Sequence, residues 1–288
     1  VSIVGMPGVG KTTLARKIYN DPSTTSYFHE LAWCYVSQVY TSRDLLLAIL
    51  KCLSVSIDDV KLSKMSNEDL EEQLRRCLLK QRYLVVMDDI WDIKAWNVVK
   101  QSLPDDGNRS RIIFTTQNHH LISDDEGSGK TYLLSPLIEE KPWEFLQEKI
   151  FHKDACPQEL LEIGKRIVEH CEGLPLAITV IAGLLAKEKK NVGWWKQVEA
   201  SLSSDSTTKG YMGAIELSYK HLMDYLKPCF LYFGAFRKGE VIGARKLTLL
   251  WNAEGFVNRN QRSCFEVVAK EYLKELNDRS LVIVSERS

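Results

Sequence analysis

The first half of the chain alternates short apolar runs with segments of helical periodicity. Apolar runs typical of buried strands cover residues 31–36, 83–87 and 111–116, and a shorter run covers 1–4. Helical patterns cover residues 44–53 and the segment that follows a possible capping box at Ser66 and Asp69. This order predicts a parallel sheet with helices on both faces, and ligands on such sheets bind at the carboxyl ends of the strands.

From about residue 139 the pattern becomes helical. Gly173 is typical of a helix end, and Pro175 is typical of the first residue of a helix, here predicted over 176–187. The polar stretch 201–208 predicts a linker. Further helices are expected around 215–222, 245–253 and 266–279, followed by a strand-like run at 281–284.

The strongest chemical signal is the segment GMPGVGKT at residues 5–12, which fits the phosphate-loop pattern G-x-x-x-x-G-K-[ST] between a strand and a helix. Gly8 and Gly10 let successive backbone N–H groups point inward at a phosphate chain. The helix that begins near Lys11 adds its unpaired N–H groups and positive end. We expect the Lys11 ammonium to reach the phosphates and the Thr12 hydroxyl to bind Mg²⁺.

Polar residues end two of the predicted strands. Asp88 and Asp89 follow the apolar run 83–87, and Thr115 and Thr116 end the next run. Asp88 is predicted to hold Mg²⁺, and Asp89 to orient or deprotonate an attacking water. A hydroxyl at Thr115 could contact a γ-phosphate. Each pair alone would also suit an ordinary strand end, and only the phosphate loop favours the functional interpretation.

Composition narrows the classes of function. Lys plus Arg and Asp plus Glu both number 38, so a net charge of zero gives no general attraction to nucleic acid or anionic membranes. The longest apolar run, residues 174–186, is too short to span a bilayer. The cysteines number seven, without a C-x-x-C pair, which favours free thiols and a cytosolic, cytoplasmic protein.

Four further segments carry a family resemblance: FHELAWCYVSQ at 28–38, MDDIW at 87–91, GLPLA at 173–177, and CFLYF at 229–233 with LWNAEGFV at 250–257. In this order and spacing the chain closely resembles the nucleotide-binding (NB-ARC) module of plant intracellular immune receptors with leucine-rich repeats. The tryptophan of MDDIW and the CFLYF segment resemble the class with an N-terminal coiled coil. The resemblance covers essentially the whole chain.

The resemblance implies an α/β phosphate-loop NTPase domain at 1–138, a small helical domain at 139–205 and a winged-helix domain at 206–288. It also implies a switch, with ADP holding the resting state and ATP the active state that forms homo-oligomers for defence signalling and the hypersensitive response. Turnover, if any, is expected to be a slow ATPase reaction that resets the switch.

The implied partners are the coiled-coil and leucine-rich repeat domains of the full-length protein and other immune receptors. The segment itself is expected to be a monomeric piece of a longer chain.

Carried over residue by residue, the phosphate cradle matches Gly8, Val9, Gly10, Lys11, Thr12 and Thr13. Asp88 matches the Mg²⁺ residue and Asp89 the presumed catalytic acid. Pro175, with Leu176 after it, matches the proline that adjoins the nucleotide in the family, although a helix-start role alone would also explain a proline there.

Three features depart from the family pattern. The family usually has arginine after the Thr-Thr pair as a γ-phosphate sensor, whereas this chain has Gln117, which can hydrogen-bond but carries no charge. The Met-His-Asp motif and an upstream adenine-contacting segment are not found in residues 1–288. The first departure puts the sensing of ATP in question.

Two alternatives stay open at this stage. A small-molecule kinase with a phosphate loop would need an arginine-bearing lid and an acceptor pocket, and nothing after Thr116 supplies a clear one. A nucleotide-gated DNA-binding regulator would use the winged helix, but the basic surplus in 206–288 is weak and forms no dense stripe.

Overall fold

The computed structural model describes residues 1–53, 58–119, 129–152, 154–204, 210–257 and 264–284. The chain divides into two compact units, Val1–Ser135 and Pro136–Ser288. The predicted domain boundary at 138/139 lies close to this division and stays a prediction. The boundary predicted at 205/206 lies outside the described residues.

The first unit contains a sheet that has five strands in its described part. They are β1 (Ser2–Val4), β2 (Glu30–Tyr35), β3 (Tyr83–Ile90), β4 (Arg111–Thr116) and β5 (Thr131–Leu133). Their order is β2-β3-β4-β1-β5, and every adjacent pair is parallel. The predicted parallel sheet is confirmed. Because β4 lies between β1 and β3, its end lies between the end of β1, where the predicted phosphate loop begins, and the two aspartates of β3.

Helices cover both faces of this sheet: α1 (Lys11–Tyr19), α2 (Pro22–Tyr27), α3 (Ser42–Leu50), α4 (Asp59–Lys64), α5 (Asn67–Leu78) and α6 (Ile93–Lys100). Successive residues of β3 enter two different cores, as expected for a strand buried on both faces. Leu84 and Val86 pack with Ala15 of α1. Val85 and Met87 join the larger cluster formed with α3, α5 and α6.

Local sequence explains where two of these helices begin. The Ser66 hydroxyl accepts a hydrogen bond from the Asp69 N–H, and the Asp69 carboxylate accepts one from the Ser66 N–H. Thr41 and Asp44 form the same reciprocal pair at the start of α3. Each capping box satisfies N–H groups that a helix start leaves unpaired and thereby sets the residue at which the helix begins.

The second unit is helical in its described part. Its helices are α7 (Lys141–Phe151), α8 (Gln158–His170), α9 (Pro175–Ala186), α10 (Val192–Ser204), α11 (Gly210–Lys220), α12 (Lys227–Leu231), α13 (Ala244–Ala253) and α14 (Phe265–Asp278), with a 3₁₀ turn at Tyr232–Ala235. Helix α9 packs against α7 and α11, and α8 packs against α10. A second core joins α12, α13 and α14 around the buried Trp251.

Helix α9 is buried around most of its circumference, as expected for a helix that is apolar on every side. Gly183 lies where α9 meets the end of α14, and a Cβ atom there would lie 2.3 Å from the Arg279 carbonyl oxygen. A charged cluster lies beside this contact. Glu275 bonds the Lys187 ammonium, accepts a hydrogen bond from the Tyr225 hydroxyl at 3.1 Å and lies 3.6 Å from the Arg279 guanidinium.

Two predicted segments differ in the structure. The predicted linker at 201–208 is wrong over its first residues, because α10 continues to Ser204, and residues 205–208 lie outside the described residues. The Ser201 and Ser203 hydroxyls donate to carbonyl oxygens four residues earlier, so these polar side chains are accommodated within the helix. The strand-like run at 281–284 forms no strand; the Leu281 N–H donates to the Leu276 carbonyl oxygen and the Val284 N–H to the Asn277 side chain, both near the end of α14.

Candidate nucleotide-binding site

The predicted phosphate loop joins the end of β1 to the first residue of α1. Gly10 is the N-cap of α1 and has φ of 104°, and Gly8 has φ of 77°. A Cβ at Gly10 would meet nothing within 4 Å, so this position requires glycine for its backbone conformation rather than for space. Val9 is buried between them. The loop thus directs the start of α1, with its positive end, toward the carboxyl edge of the sheet.

Lys11 is only 7 % exposed and extends its side chain back over this loop. Its ammonium donates to the carbonyl oxygens of Gly5 at 2.8 Å and Met6 at 3.0 Å. Gly5 in turn donates its N–H to the Thr116 carbonyl oxygen, which ties the loop to β4. The charge of Lys11 is therefore held above the backbone curve in which a phosphate chain would lie.

Thr12 and Asp88 come from distant parts of the chain and are in direct contact. The Thr12 hydroxyl donates to Asp88 Oδ1 at 2.9 Å. The Thr115 hydroxyl donates to the same oxygen and accepts the Asp89 N–H at 2.8 Å. Thr115 is fully buried and links the two aspartates of β3 to the neighbouring strand β4. Thr13, the remaining cradle residue, is exposed on the first turn of α1.

Asp88 is a buried residue with 2 % of its surface exposed. Burial raises its pKa above the ordinary value, the hydrogen bonds from Thr115 and Thr12 counteract this in part, and the neighbouring charge of Asp89 adds to the rise. A carboxylate that is costly to ionise in the protein alone is a good partner for an added cation. Mg²⁺ in nucleotide sites is bound by one or two protein oxygens together with phosphate oxygens and water. The Thr12 hydroxyl and Asp88 carboxylate suit that ligand set.

Asp89 has a strained backbone, with φ of 63° in the left-handed region. The register of β3 against β4 shifts between Met87 and Ile90, which marks an irregularity at the two aspartates. Such bulges occur next to active sites and redirect a side chain. The Asp89 carboxylate accepts hydrogen bonds from the Trp91 indole at 3.0 Å and from the Gln117 amide at 3.4 Å.

Thus the structure brings together Lys11, Thr12, Asp88, Asp89 and Thr115, which the sequence predicted as one site. Gln117 joins them through Asp89. Sequence analysis missed Trp91 as a contact of Asp89, although its position directly after the two aspartates could have suggested it. Among the described residues, no three His, Cys, Asp or Glu side chains converge as a self-sufficient metal site.

Pro175 and Leu176 belong to the second unit. Pro175 is the first residue of α9, which explains its helix-start role, and Leu176 is 39 % exposed beside it. Gly173, just before them, has φ of 67° and accepts a hydrogen bond from the Leu137 N–H at 2.8 Å. That these residues adjoin a nucleotide stays a prediction.

Two profiles of known protein families match this chain. The profile of the NB-ARC domain matches residues 1–156, and that of the disease resistance protein winged helix domain matches residues 235–288. The chain belongs to the NB-ARC family. The resemblance to plant resistance proteins and the predicted fold class, a phosphate-loop sheet domain followed by helical and winged-helix parts, are confirmed.

Curated relatives agree over the full length of the chain. The putative late blight resistance protein homologs R1B-14 and R1B-16 of Solanum demissum are each 40% identical to it, over 289 and 288 residues respectively. The chain spans only 22% of the length of either relative.

Solved structures support the fold alone. A signal transduction ATPase with numerous domains and a tetratricopeptide repeat sensor, from Pyrococcus horikoshii, aligns with a TM-score of 0.58 at 18% identity, over 96% of this NB-ARC chain and 36% of the other. The ORC2 protein of Aeropyrum pernix, solved as ADPNP–ADP complexes, aligns with a TM-score of 0.53 at 16% identity, over 97% and 79%. A search of the described helices finds none with the length and apolarity to cross a membrane.

Proposed function

We propose that this NB-ARC module is the nucleotide-dependent switch of a plant disease-resistance protein. The observation that carries the proposal is the joint placement of Lys11 over the phosphate loop and of the Thr12 hydroxyl on the buried Asp88 carboxylate. Together these groups match the charges of a nucleotide and its Mg²⁺. In the resting state the module holds ADP, and exchange for ATP produces the active, oligomerising state of a cytoplasmic receptor.

Each residue has a distinct task in this proposal. The N–H groups around Gly8, Val9 and Gly10 bind the phosphate oxygens, and the Lys11 ammonium releases the carbonyl oxygens of Gly5 and Met6 to bind phosphate. Thr12 and Asp88 hold Mg²⁺, which supplies charge neutralisation at the phosphates. Thr13 lies at the exposed end of the cradle, and Pro175 and Leu176 are further nucleotide-binding residues in this proposal.

Slow hydrolysis returns the switch to rest. A water oxygen forms a bond to the γ-phosphorus while the bond to the bridging oxygen breaks, and ADP leaves with that electron pair. Asp89 orients the water and accepts its proton, and Thr115 fixes both aspartates through its hydroxyl. Nucleotide state then shifts a population of conformations, because ADP and ATP make different contacts.

The first experiment is to denature freshly purified protein and identify the released nucleotide by chromatography. We expect close to one ADP per chain. An empty site that binds neither ADP nor ATP, with or without Mg²⁺, would refute a nucleotide switch. The control variant is Lys11→Arg, which keeps the charge but misplaces it, and which should emerge from purification with far less ADP.

A further inference from the structure

Two neutral donors contact the Asp89 carboxylate, and each directly follows one of two neighbouring strands. Trp91 follows β3, and its indole N–H donates to Asp89 Oδ2 at 3.0 Å. Gln117 follows β4, and its amide donates to Asp89 Oδ1 at 3.4 Å. Each donor therefore contacts a different oxygen of the same carboxylate. A third contact fixes the backbone, because the Asp89 N–H donates to the Thr115 hydroxyl.

The environment of Trp91 argues against a packing role. Its side chain is 41 % exposed, although it follows a strand whose residues are all buried. Elsewhere in the described residues the chain accepts the opposite arrangement: the indole N–H groups of Trp33, Trp194, Trp195 and Trp251 are buried without a hydrogen-bond partner. Of these five tryptophans, Trp91 is the one whose side chain is exposed and whose indole N–H bonds a carboxylate. Hydrogen bonds to charged acceptors are stronger than those between neutral groups.

The hydrogen bond from Trp91 also helps to hold Asp89 in its strained backbone conformation. Asp89 has φ of 63°, and a left-handed backbone at a residue other than glycine persists only where its surroundings determine it. The Thr115 hydroxyl contacts the Asp89 main chain, and Trp91 and Gln117 contact its side chain. The carboxylate is thereby restricted to one orientation at the carboxyl edge of the sheet.

We propose that Trp91 is a positioning residue for Asp89, with Gln117 as the weaker second support. The inference rests on the proposed function, in which Asp89 orients the attacking water. It assigns to the indole N–H the task of aiming this carboxylate. It also gives Gln117 a task that differs from sensing a γ-phosphate by charge.

Trp91→Phe tests this role because it removes the N–H and keeps an aromatic ring. We expect the single-turnover hydrolysis of bound ATP to slow about 10-fold, since small misplacements of a catalytic group cost factors of this order or more. Affinity for ADP and ATP with Mg²⁺ should stay unchanged. Gln117→Leu should slow hydrolysis less than Trp91→Phe, in line with its longer hydrogen bond.

A double-mutant cycle separates positioning from a general structural effect. In an Asp89→Asn background, Trp91→Phe should cause no further loss, because residues that act through one group are not additive. An equal 10-fold loss in both backgrounds would overturn the proposal. So would bound ATP that is not hydrolysed by the wild-type chain, or loss of nucleotide affinity in Trp91→Phe in proportion to the loss of rate.

A second measurement needs no nucleotide. In ¹⁵N spectra of the tryptophan indoles, Trp91→Phe identifies the Trp91 signal by its loss. Asp89→Asn should then shift that signal more than any other indole, whereas Asp92→Asn, the same change of charge next to Trp91 on its other side, should shift it less. Equal shifts would refute the hydrogen bond itself. If no nucleotide binds, the proposed function fails and takes the role in hydrolysis with it, while this spectrum still decides whether Trp91 bonds Asp89.

Discussion

Each of the two compact units holds a carboxylate that is wholly or partly buried, but the units compensate its charge differently. In the first unit, the Asp88 carboxylate accepts hydrogen bonds from two hydroxyls, and burial raises its pKa. In the second unit, burial would also raise the pKa of Glu275, but the bond and charge of Lys187, the hydrogen bond of Tyr225 and the charge of Arg279 outweigh it and lower that pKa. The first carboxylate suits an added cation, and the second already has its cations within the fold.

This difference separates a candidate binding site from an ion pair that serves the fold. Shifted pKa values occur at both kinds of place, so a shift alone does not identify a site. The direction of the pKa shift and its physical cause are more informative than the presence of a shift. The pKa of Asp88 is raised because the hydrogen bonds from Thr115 and Thr12 compensate its burial only in part, which suits a candidate cation site. The groups around Glu275 lower its pKa and join α9 to α14.

The largest expected effect contrasts the lysines of the two units. Lys11→Ala should weaken ADP binding about 100-fold, because a charged hydrogen bond to phosphate contributes about 2–3 kcal/mol. Lys187→Ala should lower the melting temperature and leave ADP affinity unchanged. Isothermal titration and thermal unfolding of both variants measure this.

Lys17→Ala is the matched control for Lys11, because Lys17 is an exposed lysine in the last turn of the same helix. It should behave as wild type. A loss of ADP affinity in Lys187→Ala comparable to that in Lys11→Ala would abolish the contrast between the units.

The contact between α9 and α14 gives the next effect. Gly183→Ala places a methyl group 2.3 Å from the Arg279 carbonyl oxygen, which is backbone and cannot rotate away. We expect a loss of about 1–3 kcal/mol in the free energy of unfolding. Gly234→Ala is the control in the same unit, since its Cβ would meet nothing within 4 Å. Equal urea midpoints for the two variants would show that α14 does not approach α9 this closely.

Neutralising each carboxylate should change stability in opposite directions. Without ligands, Asp88→Asn should leave the melting temperature unchanged or raise it, because it removes a buried charge. Glu275→Gln should lower it by about 2–4 °C, which corresponds to roughly 1 kcal/mol in a chain of this size. With Mg²⁺ and ADP present, Asp88→Asn should gain less stabilisation than the wild type. Two decreases of equal size in the ligand-free protein would contradict the comparison.

The smallest effect is a dependence on pH. The pKa of Glu275 is lowered from 4.5, so its contribution is complete above that value and is lost as the pH falls through the folded-state pKa. The difference in melting temperature between wild type and Glu275→Gln should therefore shrink in acid. The pKa of Asp88 is raised from 3.8, so its ionisation costs stability as the pH rises, and the advantage of Asp88→Asn should grow toward neutral pH. Parallel curves for the two variants would show that the shifts have the same sign.

The sequence predicted the sheet and the phosphate loop because both depend on local patterns. Apolar runs marked β2, β3 and β4, and the helix after the loop begins at Lys11 as the motif requires. The capping box at Ser66 is confirmed for the same reason. The edge strand β5 is short and exposed, so it carries no apolar run that could have predicted it.

The remaining features depend on contacts between distant residues. The Thr115 hydroxyl reaches β3 across 26 and 27 positions of sequence, and Thr12 reaches Asp88 across 76. The register shift beside Asp89 exists only where β3 pairs with β4. Neither the spacing nor the composition of a single strand contains such information. The contact of Trp91 with Asp89 is different, because it joins residues two positions apart, and the local order of residues 87–91 could have suggested it.

The pairing of β1 has a consequence for synthesis on the ribosome. Ser2 pairs with Phe114 on one side and with Thr131 on the other, so the strand that leads into the phosphate loop is made long before either neighbour. At about 5–20 residues per second, Phe114 is added roughly 6–22 s after Ser2, and Thr131 roughly 6–26 s after it. During that interval β1 has neither of the neighbouring strands with which it pairs. Within its unit, the predicted phosphate loop is thus translated before both strands that flank β1, and its place beside the sheet is complete only after them.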